Sequence, residues 1–316
     1  MDEIIENPIK TDQIENVIAN ATFELEAKDY ESIMVTDIIL AGVAGKYATV
    51  TIDNTTVAYL RYDQTTLGNH LSQNIGVTVS LLKFLSLHAD EEGKPIFKGF
   101  PIQSGQKLVV KEAAGGTLTG SIIYDVYAPG VIKEDMPNGP KAQERLIISY
   151  GRPAADITTA TETTIDTIVN PKEFPAFPYG GVIPSKKKVF LYGICASERA
   201  KSAGTGGTTN NIRTKYLKVQ NGFETLFDKD KQGILALGSI PTAATTFECE
   251  KGTSPMGEGT ELGVRKPAYM FDTPIEMNAG EELNLSWVTE LTAGASTLTK
   301  AEAEIAVIFK YAPEKA

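Results

Sequence analysis

The chain has 316 residues, a formal net charge of −10, 42% hydrophobic residues and 22% charged residues. These values place it among globular proteins, at a length that suits two ordinary domains. No apolar stretch approaches the roughly 20 residues that cross a bilayer. The acidic start Met1-Asp2-Glu3-Ile4-Ile5-Glu6 lacks the order of a signal peptide, so residence in a cytoplasm is expected at first.

Residues 1–31 read as an N-terminal arm. They carry nine carboxylates against Lys10 and Lys28. Carboxylates repel phosphates, and counterion release needs Lys and Arg, so direct nucleic-acid binding is not expected. Within the arm, Asp12 can cap, Glu15 follows three residues on, and Ile14, Val17 and Ile18 form an i, i+3, i+4 stripe. That pattern predicts one short helix.

From residue 32 to 130 the period switches to two, which predicts a first β-sandwich. Val50, Ile52, Val57 and Tyr59 predict two strands around a turn at Asp53-Asn54-Thr55-Thr56. Val77 to Leu87 is apolar and opens with β-branched residues, so it reads as a strand. Lys107 to Lys111 and Leu118 to Tyr127 complete the unit, with Ala113-Ala114-Gly115-Gly116 as a hairpin turn.

Residues 131–185 form a connecting segment punctuated by prolines, with one good strand at Leu146–Tyr150. Phe174, Phe177 and Tyr179 are expected to cover a sheet edge or fill a seam rather than to offer a ligand platform. Residues 186–316 predict a second β-sandwich. Lys186-Lys187-Lys188 reads as the solvated start of a strand. The polar insertion 201–211 is expected on the surface. The sequence runs only three residues past Pro313, so no tail is expected to reach other partners.

The two sandwich units repeat one another. Asp37–Ala44 resembles Lys188–Cys195, with Gly42 matching Gly193. Lys46-Tyr47 recurs as Lys215-Tyr216, and Pro101-Ile102 with Gly105 to Leu108 recurs as Pro274-Ile275 with Gly280 to Leu283. Thr117-Leu118-Thr119 and a strand ending Tyr127-Ala128-Pro129 recur as Thr297-Leu298-Thr299 and a strand ending Tyr311-Ala312-Pro313. The blocks keep their order, which predicts a duplicated, all-β antiparallel sandwich; the pattern alone does not separate an ordinary sandwich from one of jelly-roll type.

Catalytic constellations are missing, so no enzyme, cofactor or metal site is expected. His70 and His88 are too far apart for zinc ligation of the HExxH type. No G-x-S-x-G elbow is present. Asp228-Lys229-Asp230-Lys231-Gln232-Gly233 starts like a calcium loop but has Ser239 where the bidentate glutamate belongs. Glu248 and Glu250 would share a strand face and read as solubilising charges. Trp287 shares its face with Leu283 and Leu285 and is expected in the core. Cys195 reads as a small core residue, and a bridge to Cys249 is not expected.

Two tandem β units, led by Pro101-Ile102-Gln103-Ser104-Gly105 with Leu108 and by Pro274–Gly280 with Leu283, resemble the double jelly-roll major capsid proteins of tailless icosahedral viruses. The resemblance covers nearly the whole chain and implies a virion structural protein assembled in host cytoplasm. It implies homotrimers of pseudo-hexagonal outline, contacts with neighbouring trimers, and minor capsid or membrane proteins beneath the shell. Alternatives are another viral tandem-sandwich protein (spike, minor capsid or decoration) or a carbohydrate- or host-binding module. A binding module calls for an exposed aromatic such as Trp287. A glycosidase calls for two carboxylates in one cleft.

Overall fold

The computed structural model describes residues 7–16, 22–41, 46–62, 80–90, 92–113, 115–169, 177–196, 212–227, 268–291, 297–301 and 303–313. The first lobe consists of β1 (Lys10–Asn16), β2 (Thr22–Glu26), β3 (Ser32–Ala41), β4 (Lys46–Ile52), β5 (Thr55–Tyr62), α1 (Leu81–Ser86), β6 (Phe100–Ile102), β7 (Lys107–Glu112) and β8 (Thr119–Tyr127). The second consists of β9 (Arg145–Arg152), β10 (Glu162–Thr164), β11 (Thr167–Ile168), β12 (Lys187–Ala196), β13 (Ile212–Asn221), β14 (Glu224–Phe227), β15 (Tyr269–Met277), β16 (Leu283–Leu291) and β17 (Ile305–Pro313).

Strand order identifies both lobes as jelly rolls. The first has sheets β1-β8-β3-β6 and β2-β7-β4-β5; the second has β11-β9-β17-β12-β15 and β10-β16-β13-β14. Without the extra edge strand β11, each pairing in one lobe has its counterpart in the other, and all ladders are antiparallel. Each unit is thus a sandwich of two interleaved four-stranded sheets, as expected for a tandem jelly roll.

The registers repeat as well. Ala48↔Glu112 and Ile52↔Leu108 in the first lobe correspond to Leu217↔Trp287 and Asn221↔Leu283 in the second. The bulge between Val50 and Thr51 recurs between Val219 and Gln220. A further bulge at Thr36 falls on the rung where β12 bulges at Tyr192. Bulges redirect side chains and increase local twist, so shared bulges mean shared curvature. The tight turns at 53–54 and 222–223 open with Asp53 at φ 51 and Gly222 at φ 55, and Gly105 and Gly280 match at φ 78 and 85. Only residues tolerant of the left-handed region serve there.

Burial follows the alternation. On β7, Leu108, Val110 and Glu112 point inward; on β16, Leu283, Leu285 and Trp287 do. One cluster fills the second lobe around Trp287, Phe309 and Leu191. The other fills the first lobe and continues across the seam to Leu146, Ile148, Tyr150, Tyr192, Cys195 and Ile308. The sheet β9-β17-β12 is therefore buried on both faces.

Several expectations need correction. The N-terminal helix over Asp12 to Ile18 is replaced by β1, which pairs with β8 from Lys10↔Val126 to Asn16↔Gly120. The available edge of β8 satisfies backbone groups that a short isolated helix leaves to water. β1 and β2 thus belong to the first lobe rather than to a separate arm, and β9, β10 and β11 belong to the second rather than to a connection. The strand expected over Val77 to Leu87 contains α1 instead. Ser80 caps it by accepting from the Lys83 N–H at 3.0 Å, and Leu81, Leu82, Phe84 and Leu85 are all buried. A helix apolar on so much of its surface carries no readable period. Ala113–Gly116 is not a hairpin turn, because β7 and β8 lie in different sheets.

Three repeat matches are out of register. The rung of Gly193 is that of Asp37, not Gly42; the rung of Met277, not Ile275, is that of Ile102; and the rung of Tyr311 is that of Val126, not Tyr127. A one-residue slip exchanges the two faces. Tyr127 accordingly packs outside its sheet with Met34 and Ile132, while Tyr311 packs on the second core.

Candidate functional site

The functional candidate is the seam between the lobes and the open cleft beside it. The first lobe contributes β5, α1 and the segment leading to β6; the second contributes the outer face of β9, β17 and β12. At its centre Arg61 Nη1 lies 2.6 Å from Glu304 Oε1, with side chains 6% and 0% exposed. The Tyr150 hydroxyl accepts from the Arg61 N–H at 3.2 Å and donates to the Tyr59 carbonyl at 3.4 Å. Burial pushes the Tyr150 hydroxyl pKa up, and it pushes the Cys195 thiol up in the same seam. Both stay protonated and act as packing groups with polar handles.

Below this layer is a cleft of about 470 Å³ lined by Asp90, Glu92, Lys94, Lys98, Glu144, Lys188, Phe190, Tyr192 and Lys310 among others. Asp90 pairs with Lys310 across the seam at 3.4 Å, and Glu92 pairs with Lys94 at 2.6 Å. Lys188 pairs with Glu276. Lys310 and Lys188 also sit over the Tyr192 and Phe190 rings, each at 5.7 Å. Two of the three cleft carboxylates are thus neutralised by ammonium groups. The Lys94 ammonium beside Glu92 holds that carboxyl below the usual carboxylate range.

The residues singled out by sequence do not meet in one place. Trp287 is fully buried and donates its Nε1–H to the Ala303 carbonyl at 2.7 Å, so it offers no exposed platform. Phe177 packs edge-on against Phe309 at 5.3 Å, and the Tyr179 hydroxyl donates to the Ser149 carbonyl at 2.7 Å. They fill the second core beneath β9 and β17. His88 sits against its own helix, with Nδ1 2.9 Å from the Phe84 carbonyl. Lys187 lies over Tyr311 at the start of β12. Cys195 is buried and is in no disulfide among the described residues. His70, Phe174, the insertion 201–211, the loop from Asp228, Glu248, Cys249 and Glu250 lie outside the described residues. Among the described residues no cluster of His, Cys, Asp and Glu could hold a metal ion.

Sequence reasoning missed Arg61 and Glu304. The available signal was local: Tyr59, Leu60 and Arg61 are consecutive and all buried, and Glu304 directly precedes the apolar run of β17. A strand buried on both faces loses its alternation, so an embedded charge there marks a partner element.

No family model and no curated protein matches the chain. Among solved structures, the major capsid protein P2 of bacteriophage PM2 is similar at 11% identity and TM-score 0.41, covering 95% of this chain and 97% of that one. A peptide-N(4)-(N-acetyl-β-D-glucosaminyl) asparagine amidase is similar at 9% identity and TM-score 0.26, covering 97% of each chain. At these scores neither likeness carries weight; the jelly-roll assignment stands on strand order and register.

Proposed function

We propose that this chain is a viral structural subunit, a major capsid protein whose homotrimers present six similar lobes and tile an icosahedral shell. The observation that supports the reading best is the duplication itself: two jelly rolls repeated to the rung and the bulge, fused side by side through one sheet face. A chain with two equivalent lobes needs only a threefold axis to form a ring of six, and closed cyclic symmetry is the usual route.

The polarity of the lobes fits a shell subunit. The tight turns at 53–54, 103–106, 222–223 and 278–282 lie at one end of the strands, while β5, β12 and β14 finish at the opposite end, where the sequence between strands is longest. Short turns at one end and long connections leaving from the other suit an inner and an outer surface. On this reading the protein resides in the virion after assembly in host cytoplasm. It contacts neighbouring trimers and minor capsid or membrane proteins beneath the shell, and it catalyses no reaction. A trimer interface of obligate size, on the order of 2,000 Å² or more, is expected. Native mass spectrometry and sedimentation test it: a species three times the 34.0 kDa chain is expected. A monomer at every concentration, forming no sheets or shells, overturns it.

A further inference from the structure

The cleft beside the seam has a donor-rich lining that shell assembly does not call upon. Its floor is the outer face of β12-β17-β9, where Lys188 faces Ala312 and where Phe190, Lys310 and Leu146 share one rung. Residues two apart on a strand share a face, so Lys188, Phe190 and Tyr192 turn toward the cleft together. The wall is the first-lobe segment 90–98, which Asp90 shapes. Its Oδ1 accepts from the Glu92 N–H at 3.1 Å and from the Lys94 N–H at 2.9 Å, while its Oδ2 holds the Lys310 ammonium across the seam at 3.4 Å. The rim is formed by Pro137, Asn138 and Glu144.

In a chain of net charge −10, this lining carries four lysines against three carboxylates. Two of the carboxylates, Asp90 and Glu92, are each held by a lysine of the cleft itself. Lys188 pairs with Glu276, which lies outside the lining. Lys98 is half-buried and pairs with no carboxylate among the described residues. Asn138 adds a neutral donor. It is 4% exposed, and its Oδ1 accepts from the Leu146 N–H at 3.0 Å, which fixes the orientation of the amide. Its Nδ2 then meets no acceptor among the described residues. A buried donor without an acceptor is costly and marks a place where an acceptor belongs.

We propose that this cleft binds a small organic polyanion, a molecule with carboxylate or phosphate groups on a partly apolar body. Its volume of about 470 Å³ is that of a small-molecule site. Lys98 and Lys188 supply charge at two points, and Asn138 supplies a directed donor. Phe190, Ile96 and Leu146 supply apolar contact. A cationic ligand finds little here, because Asp90 and Glu92 already hold ammonium groups.

Isothermal titration of the full chain with citrate and with fructose 1,6-bisphosphate tests the site. Binding is expected, and the tighter of the two probes tells whether carboxylate or phosphate is the preferred group. Lys98→Gln and Asn138→Asp are each expected to weaken that probe about tenfold. The aspartate keeps the acceptor for the Leu146 N–H and puts negative charge where the amino group was. Lys218→Gln, on β13 in the opposite sheet of the second lobe, is the control and is expected to bind as wild type does. Circular dichroism confirms that each variant is folded. No binding of either probe overturns the proposal. So does undiminished binding by Lys98→Gln and Asn138→Asp, or an equal loss in Lys218→Gln. Should Asn138→Asp not fold, Lys188→Gln replaces it, with the same outcomes decisive.

Discussion

The two lobes share one topology and differ in what each asks of its surroundings. On matching rungs the second lobe turns Leu146, Ile148, Tyr150 and Ile308 outward, where the first turns Thr11, Gln13, Glu15 and Ile123 outward. Inside, the second lobe places Trp287 opposite Leu217, where the first places Glu112 opposite Ala48. A face tethered to its cover by the chain can be apolar, because it never meets water in the folded state. A face that stays in contact with water is polar instead. The difference in polarity therefore reports which of the two faces is covered by the other lobe, although the strand order is the same.

The sharpest way to break the comparison is at the core rung. Trp287→Ala is expected to cost about 4 kcal/mol, the usual range for emptying a large aromatic site. Glu112→Ala on the equivalent rung removes the acceptor of the Gly116 N–H and is expected to cost less, about 1–3 kcal/mol. Chemical denaturation of each variant checks the order. Equal losses would mean that the lobes are energetically alike despite their different fillings.

The seam comes next. Arg61→Met alone leaves Glu304 buried without its guanidinium and is expected to destabilise by about 3 kcal/mol or more. The double variant Arg61→Met with Glu304→Leu is expected to recover most of that loss, since a well-packed apolar pair often equals a buried ion pair. Calorimetry reads a second feature. The first core continues through the seam into the second lobe, so wild type is expected to melt in one coupled transition, and Arg61→Met in two. A smaller effect belongs to α1: Ser80→Ala removes the cap and is expected to cost about 1 kcal/mol in thermal unfolding.

How much of this was legible follows from which elements keep a period. β4 and β7 alternate cleanly, as does β13 beyond its bulge at Lys215, so the blocks at Tyr47, Leu108, Tyr216 and Leu283 were placed in correct register and the duplication was visible. β3 and β12 contain bulges and apolar residues on both faces, so the match of Gly42 to Gly193 slipped. β1 was misread because its charged edge carries a single inward apolar residue, Ile14, and two further apolar residues completed a helical stripe by accident. The seam was illegible because Arg61 and Glu304 are far apart in sequence, and only the fold brings them together.

The smallest expected effect is a titration. Asp37 sits at the rung of Gly193 and is 6% exposed; it accepts from the Ser80 hydroxyl at 2.6 Å and from the Ile38 N–H at 2.9 Å. Burial raises its pKa, and the two hydrogen bonds and Lys83 offset only part of that rise. A carboxyl with a raised folded-state pKa holds its proton longer in the native than in the unfolded chain. Between the unfolded value and the folded one, stability must therefore fall as pH increases. The first lobe carries this cost where the second has a glycine and none. Asp37→Asn is expected to flatten the decline just above the ordinary carboxylate range and to leave stability at lower pH nearly unchanged. Melting curves of the two proteins from pH 3 to pH 7 would show it. Parallel curves would mean that Ser80 and Ile38 fully compensate the buried charge.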